Sequence, residues 1–219
     1  MRNYFSRFAL TFIFVAIAAT VVGNSTKTDA SPAPTIRTSQ AQTTKSSGGK
    51  FSQVELSSLA SYTYGNGLFT MNVPKHWTVR DRTDASRVFV QWLDSTRNGA
   101  IFVRMTKGQS NPTLEQLGEE LRSFLNSAYQ SEPDFQMSLP VEQPDKTSKI
   151  EWSFTAKGDN GAKGTLQGDS YILQVADKVA IVTFIAPQEQ FNDLEPAFNQ
   201  IFSSYKIYRQ VDLPQQPLP

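Results

Sequence analysis

Two stretches of this chain repeat apolar residues with a helical period, and the residues between them alternate or run together as strands do. Leu114, Leu117, Leu121, Phe124, Leu125 and Ala128 form the first stripe. Phe191, Leu194, Phe198, Ile201, Phe202 and Tyr205 form the second at identical offsets. Each stripe suits a helix lying on a sheet, and the two are expected to share one core with Trp152. Pro112 and the Thr113…Gln116 pair place the start of the first helix near Asn111 or Thr113. Pro196 falls inside the second stripe, so an irregular turn is predicted first, with regular helix from Pro196 onward.

Strand patterns fill the rest. Phe69, Met71 and Val73 alternate with polar residues until Pro74 stops them, and Trp77 to Arg80 reads as a short return. Val88–Leu93 and Ile101–Met105 follow. After the first helix come Phe135, Met137, Leu139 and Val141, then Ile150, Trp152, Phe154 and Ala156. Lys157-Gly158-Asp159-Asn160-Gly161 is a hairpin turn, because Asn-Gly supplies the positive φ angles such turns require. Tyr171–Val175 and Val179–Ala186 complete the set, joined across Ala176-Asp177-Lys178. The last run is apolar nearly throughout, as a central strand covered on both faces would be. The order is four strands, helix, four strands, helix. Its short links imply an α+β domain: a largely antiparallel β-sheet flanked by helices in an α/β/α sandwich.

The ends differ from this middle. Arg2 and Arg7 precede a fifteen-residue apolar run, Phe8 to Val22, with Val21 and Gly23 before a polar stretch opening at Asn24. That is the layout of a secretory signal peptide over residues 1–23, and the run is short of the ~20 residues that span a bilayer. A retained N-terminal anchor is the alternative. Residues 24–60 form a polar linker, with a short helical turn open at Phe51 to Leu59. The folded domain then covers 61–208, and residues 209–219 form a Pro-rich, disordered tail.

Composition narrows the chemistry. Loss of Arg2 and Arg7 takes the formal charge from +1 to −1. A near-neutral exported domain lacks the basic footprint of a nucleic-acid binder, so no nucleic-acid partner is expected. The chain has no cysteine, which removes disulfides, thiolate nucleophiles and Cys-ligated metals together. A domain of about 150 residues buries roughly 68–70% of its unfolded surface and holds without staples.

The opening Tyr62-Thr63-Tyr64, the run Gly67-Leu68-Phe69-Thr70-Met71-Asn72-Val73-Pro74 and Trp77 resemble the start of PsbP-like proteins. Phe198 and Ile201-Phe202-Ser203-Ser204-Tyr205-Lys206-Ile207 are similar to the last helix and close of the same family. The resemblance implies the PsbP-like sandwich. It also implies a non-enzymatic role, either as an accessory of the oxygen-evolving side of photosystem II or as a bacterial envelope protein of the DcrB type. Cyanobacterial members of the family are typically lipid-anchored through a cysteine, which this chain lacks.

Single residues add little chemistry. His76 is the only histidine and reads as a surface residue of the Pro74–Trp77 turn; without cysteines it cannot complete the usual zinc sets. A carboxylate calcium or manganese site stays open, although no EF-hand spacing occurs. Ser170 lacks the G-x-S-x-G surroundings of a hydrolase nucleophile. Glu115, Glu119 and Glu120 read as a solvated helix face, with Arg122 and Arg104 elsewhere. Gly158, Gly161, Gly164 and Gly168 belong to a hairpin with no following helix to cradle phosphate. Trp77, Trp92 and Trp152 read as packing residues. No catalytic, metal or cofactor-binding residue is assigned.

The sequence thus points to an exported accessory or assembly factor, in the periplasm or, in a cyanobacterium, the thylakoid lumen. It is expected to dock peripherally on a membrane protein complex, photosystem II in a photosynthetic source. A small envelope module binding an apolar or lipid-like ligand is the second reading. Export with cleavage predicts a mature N-terminus at Asn24; N-terminal sequencing of the exported form checks this, and an intact Met1 in the membrane fraction contradicts it.

Overall fold

Every residue of one strand, Lys178–Pro187, is buried, and the sheet is laid out on either side of it. The computed structural model describes residues 50–158 and 161–214. The leader at 1–23, the linker up to residue 49, the turn tip Asp159-Asn160 and the tail beyond Pro214 lie outside the described residues.

In chain order the elements begin with β1 (Leu59–Thr63), β2 (Phe69–Pro74), β3 (Thr78–Asp81), β4 (Val88–Leu93), β5 (Ala100–Lys107) and α1 (Leu114–Tyr129). Next come β6 (Gln136–Met137), β7 (Val141–Glu142), β8 (Ser148–Lys157) and β9 (Lys163–Val175). β10 (Lys178–Pro187), α2 (Gln188–Ser203) and β11 (Lys206–Ile207) close the fold. The main sheet runs β3-β4-β5-β10-β9-β8-β6, with β7 also on β8; a smaller sheet runs β1-β2-β11. All pairings are antiparallel. The α+β class and its layers are those expected.

Strand register sorts the side chains into two cores. Residues directly opposite in antiparallel strands share a face. Tyr171, Val182 and Val103 are aligned, as are Ser170, Thr183 and Phe102 one position along. On the first face α2 packs with Phe198 stacked on Phe184 at 5.0 Å and Phe202 on Tyr171 at 4.2 Å. The small sheet adds Phe69, Met71 and Val73 to this core. On the second face α1 stacks Tyr129 on Trp152 at 4.3 Å. One core shared by both helix stripes and Trp152 is therefore corrected: the sheet stands between them, and only the α2 stripe joins the larger cluster.

Other differences have local causes. α2 is continuous from Gln188 rather than from Pro196. Pro196 and Asn192 are both exposed, so water can take the carbonyl that proline leaves without a donor. The expected strand through Leu139 is split into β6 and β7 around Pro140, which has no N–H for a ladder. β1 and β11 bring the order to five strands, helix, five strands, helix, one strand. Residues 51–58 are neither helical turn nor loose linker: Phe51 and Val54 are buried, and Trp77 Nε1 donates to the Glu55 carbonyl at 3.0 Å. The chain end is also tied down as far as Pro214, with Val211 and Leu213 packed on the core. Helix α1 begins as read, with a capping box between Thr113 and Gln116.

The second core depends on one missing side chain. Trp152 lies flat over Gly168, its cross-strand partner, and a Cβ there would run into the indole. The indole Nε1 donates to Ser170 Oγ at 2.9 Å, and Ser170 Oγ bonds Thr183 Oγ1 at 2.8 Å. Gly168→Ala is expected to cost about 1–3 kcal/mol by overpacking, read as a lowered urea midpoint with unchanged m-value.

Candidate functional site

Trp152 and its neighbours place three charged residues on the opposite face of the same two strands. Lys149 and Glu151 alternate with Ile150 and Trp152 along β8, and Asp169 precedes Ser170 on β9. Because Lys149 pairs with Tyr171 and Glu151 with Asp169, the four side chains form a square beside α2. Lys149 Nζ lies 2.7 Å from Asp169 Oδ2, 2.9 Å from Glu151 Oε1 and 5.7 Å from the Tyr171 ring centre. The Asp169 side chain is 5% exposed and that of Lys149 14%.

Burial and pairing pull against each other here. Burial disfavours the Lys149 ammonium, but hydrogen bonds to Asp169 and Glu151 outweigh it and raise its pKa. Burial raises the Asp169 carboxyl, and the opposing effect of Lys149 does not fully cancel this. Burial likewise pushes the Tyr171 phenol up to about 12. Asp169 Oδ1 is buried with no hydrogen-bond partner. The raised pKa keeps the Lys149 ammonium protonated near neutral pH, and its ion pair with Asp169 links β8 to β9.

No family model matches this chain, and no curated protein sequence matches it. Among solved structures, it is similar to a cyanobacterial PsbP. That protein, from Synechocystis, aligns over 73% of this chain and 98% of its own at 15% identity and a TM-score of 0.48. LpqN, involved in cell envelope biogenesis of Mycobacterium tuberculosis, aligns over 68% and 90% at 14% identity and 0.38. A Bacteroides thetaiotaomicron protein aligns over 68% and 48% at 10% identity and 0.42.

The residues singled out in the sequence are scattered. His76 is exposed in the turn before β3. Ser170 is fully buried within its bonds to Trp152 and Thr183, out of reach of any substrate. Glu115, Glu119 and Glu120 are exposed on α1, with Arg122 3.7 Å from Glu119. Glu119 and Glu120 join Lys107, Gln109 and Gln116 around a shallow groove of about 400 Å³, whose lining is polar and unsuited to an apolar ligand. Arg104 lies 5.2 Å over the Phe124 ring, and burial lowers its pKa. Gly158 and Gly161 shape the β8–β9 turn, where Gly161 has φ +79°, while Gly164 and Gly168 lie in β9 itself. Trp77, Trp92 and Trp152 are all buried. Among the described residues no three His, Asp or Glu side chains converge as metal ligands.

The Lys149–Asp169 pair was missed because each charge looks ordinary in its own strand. The available signal was Asp169 standing in a segment otherwise suited to burial. Lys149→Met strands an uncompensated carboxylate, which is expected to cost about 3–5 kcal/mol at pH 8. The folded Asp169 pKa then rises further above its unfolded value, so the folded state binds the extra proton and the loss shrinks as pH falls. Urea melts at pH 8 and pH 5 check this; equal losses contradict it.

Proposed function

We propose that this protein is an exported, non-enzymatic accessory factor that docks peripherally on a membrane protein complex. In a photosynthetic source the partner is photosystem II or its assembly intermediates. The observation carrying the reading is the sheet edge around Pro140. Leu139 is 74% exposed and Val141 55%, more than any other large apolar side chain among the described residues. Two such residues flanking a proline expose an apolar ridge, the kind of feature that anchors protein contacts.

Two carbonyls beside this ridge accept side-chain hydrogen bonds. Ser138 Oγ donates to the Leu139 carbonyl at 3.0 Å, and Gln143 Nε2 donates to the Val141 carbonyl at 3.1 Å. Two sequence features support the reading: the basic and apolar leader at 1–23, and the PsbP-like runs at Tyr62–Trp77 and Phe198–Ile207. Among the described residues no helix is long and apolar enough to cross a membrane, which fits peripheral docking.

A photo-crosslinking residue at position 139, carried by the full chain in its own cells, is expected to capture a subunit of a membrane complex. Leu139→Asp with Val141→Asp should abolish co-purification of that subunit while changing stability by less than about 1 kcal/mol in total. Undiminished capture by the double variant sinks the proposal. So does substrate turnover in a hydrolase screen that is lost on mutating a carboxylate.

A further inference from the structure

The opposite edge of the main sheet, β3, differs in charge and in backbone. Between Lys75 and Arg104 six Lys and Arg stand against three Asp, whereas residues 105–214 hold nine Lys and Arg against fifteen Asp and Glu. The three aspartates are engaged locally. Asp84 bonds Ser86 and Arg87, buried Asp94 accepts from Thr96 and Gly99, and Asp81 accepts from the Thr83 amide. Lys75, Arg80 and Arg82 are exposed and form no ion pair among the described residues.

The backbone of this edge is open. Arg82 N donates to Phe89 O at 2.8 Å, which makes that pair hydrogen-bonded. Antiparallel ladders alternate, so Arg80 and Thr78 also bond inward to β4. The amides and carbonyls of Val79 and Asp81 consequently point off the sheet. Val79 itself is 48% exposed. Arg80 and Arg82, two residues apart, share one face about 7 Å from each other.

We propose that β3 receives an extended acidic segment of a partner protein as an added strand. Main-chain bonds to Val79 and Asp81 hold it, and carboxylates at alternate positions meet Arg80 and Arg82. The required pattern is acidic, any, acidic, because only alternate residues of a strand share a face. A second copy of this chain fits less well, since the two registers that use Asp81 set Arg80 against Arg80 or Arg82, and the one centred on Val79 leaves both arginines without a carboxylate. This surface lies at the far end of the sheet from Leu139 and Val141, so its test is independent of the docking reading above.

The test is binding of the full chain to a labelled nonapeptide in which Glu alternates with Thr. The control has the same composition with its glutamates contiguous. The alternating peptide is expected to bind at least about tenfold tighter, a difference of ~1.4 kcal/mol. Binding should be lost with Arg80→Gln plus Arg82→Gln. It should also be lost with Val79→Pro, which deletes an outward amide without touching the β4 ladder. Should Val79→Pro fail to fold, N-methylating the peptide backbone at its centre must weaken binding to the same extent. Equal binding of the two peptides overturns the proposal, as does tight binding to the Val79→Pro or N-methylated pair. Binding to phosphatidylglycerol vesicles without binding to the alternating peptide also overturns it.

Discussion

Burial of β10 on both faces is the constraint from which the other features follow. A strand with Ala180, Val182, Phe184 and Ala186 on one side and Val179, Ile181, Thr183 and Ile185 on the other must have a layer on each. Helix α2 and the small sheet supply one, and α1, reaching from Trp152 on β8 through Tyr129 to Arg104 on β5 through Phe124, lies on the other. Each layer brings aromatic rings to the sheet, where stacked pairs add to the burial of their area. Neither layer could be removed without exposing half of β10.

Polar groups in these layers are placed where the sheet can satisfy them. Ser170 and Thr183 face the α1 layer and serve the Trp152 indole, so the ring is held by both stacking and a hydrogen bond. Lys149 and Asp169 face the α2 layer near the edge, where the lysine ammonium lies over the Tyr171 ring. Lys178 is 1% exposed and ends on the Asp177 carboxylate and the Arg209 carbonyl, tying the segment just after β11 to the β9–β10 turn. In each case a buried charge or dipole is paired with at least one partner, as low dielectric demands.

Much of this was legible because period and face agree. The two stripes gave their helices, the Thr113–Gln116 box marked a start, and the unbroken apolar run Val179–Ala186 marked the central strand. What escaped depended on distant neighbours. Phe51 and Val54 look like linker until Gln190, far along the chain, accepts the Val54 amide. Pro196 looks like the start of regular helix until its solvent side is known. The Lys149–Asp169 pair and the open edge of β3 both require strand register, which local periodicity does not encode.

The register of β10 also governs when the fold can close. Val103 pairs with Val182, so β5 can meet its inner neighbour only after the chain through α1, β8 and β9 has been synthesised. Until then the edge of β5 that β10 will occupy has no partner. Such late, non-local pairing slows folding and leaves the early strands exposed to wrong partners. The completed sheet hides that edge, but a nascent chain carries it openly until Pro187 has emerged.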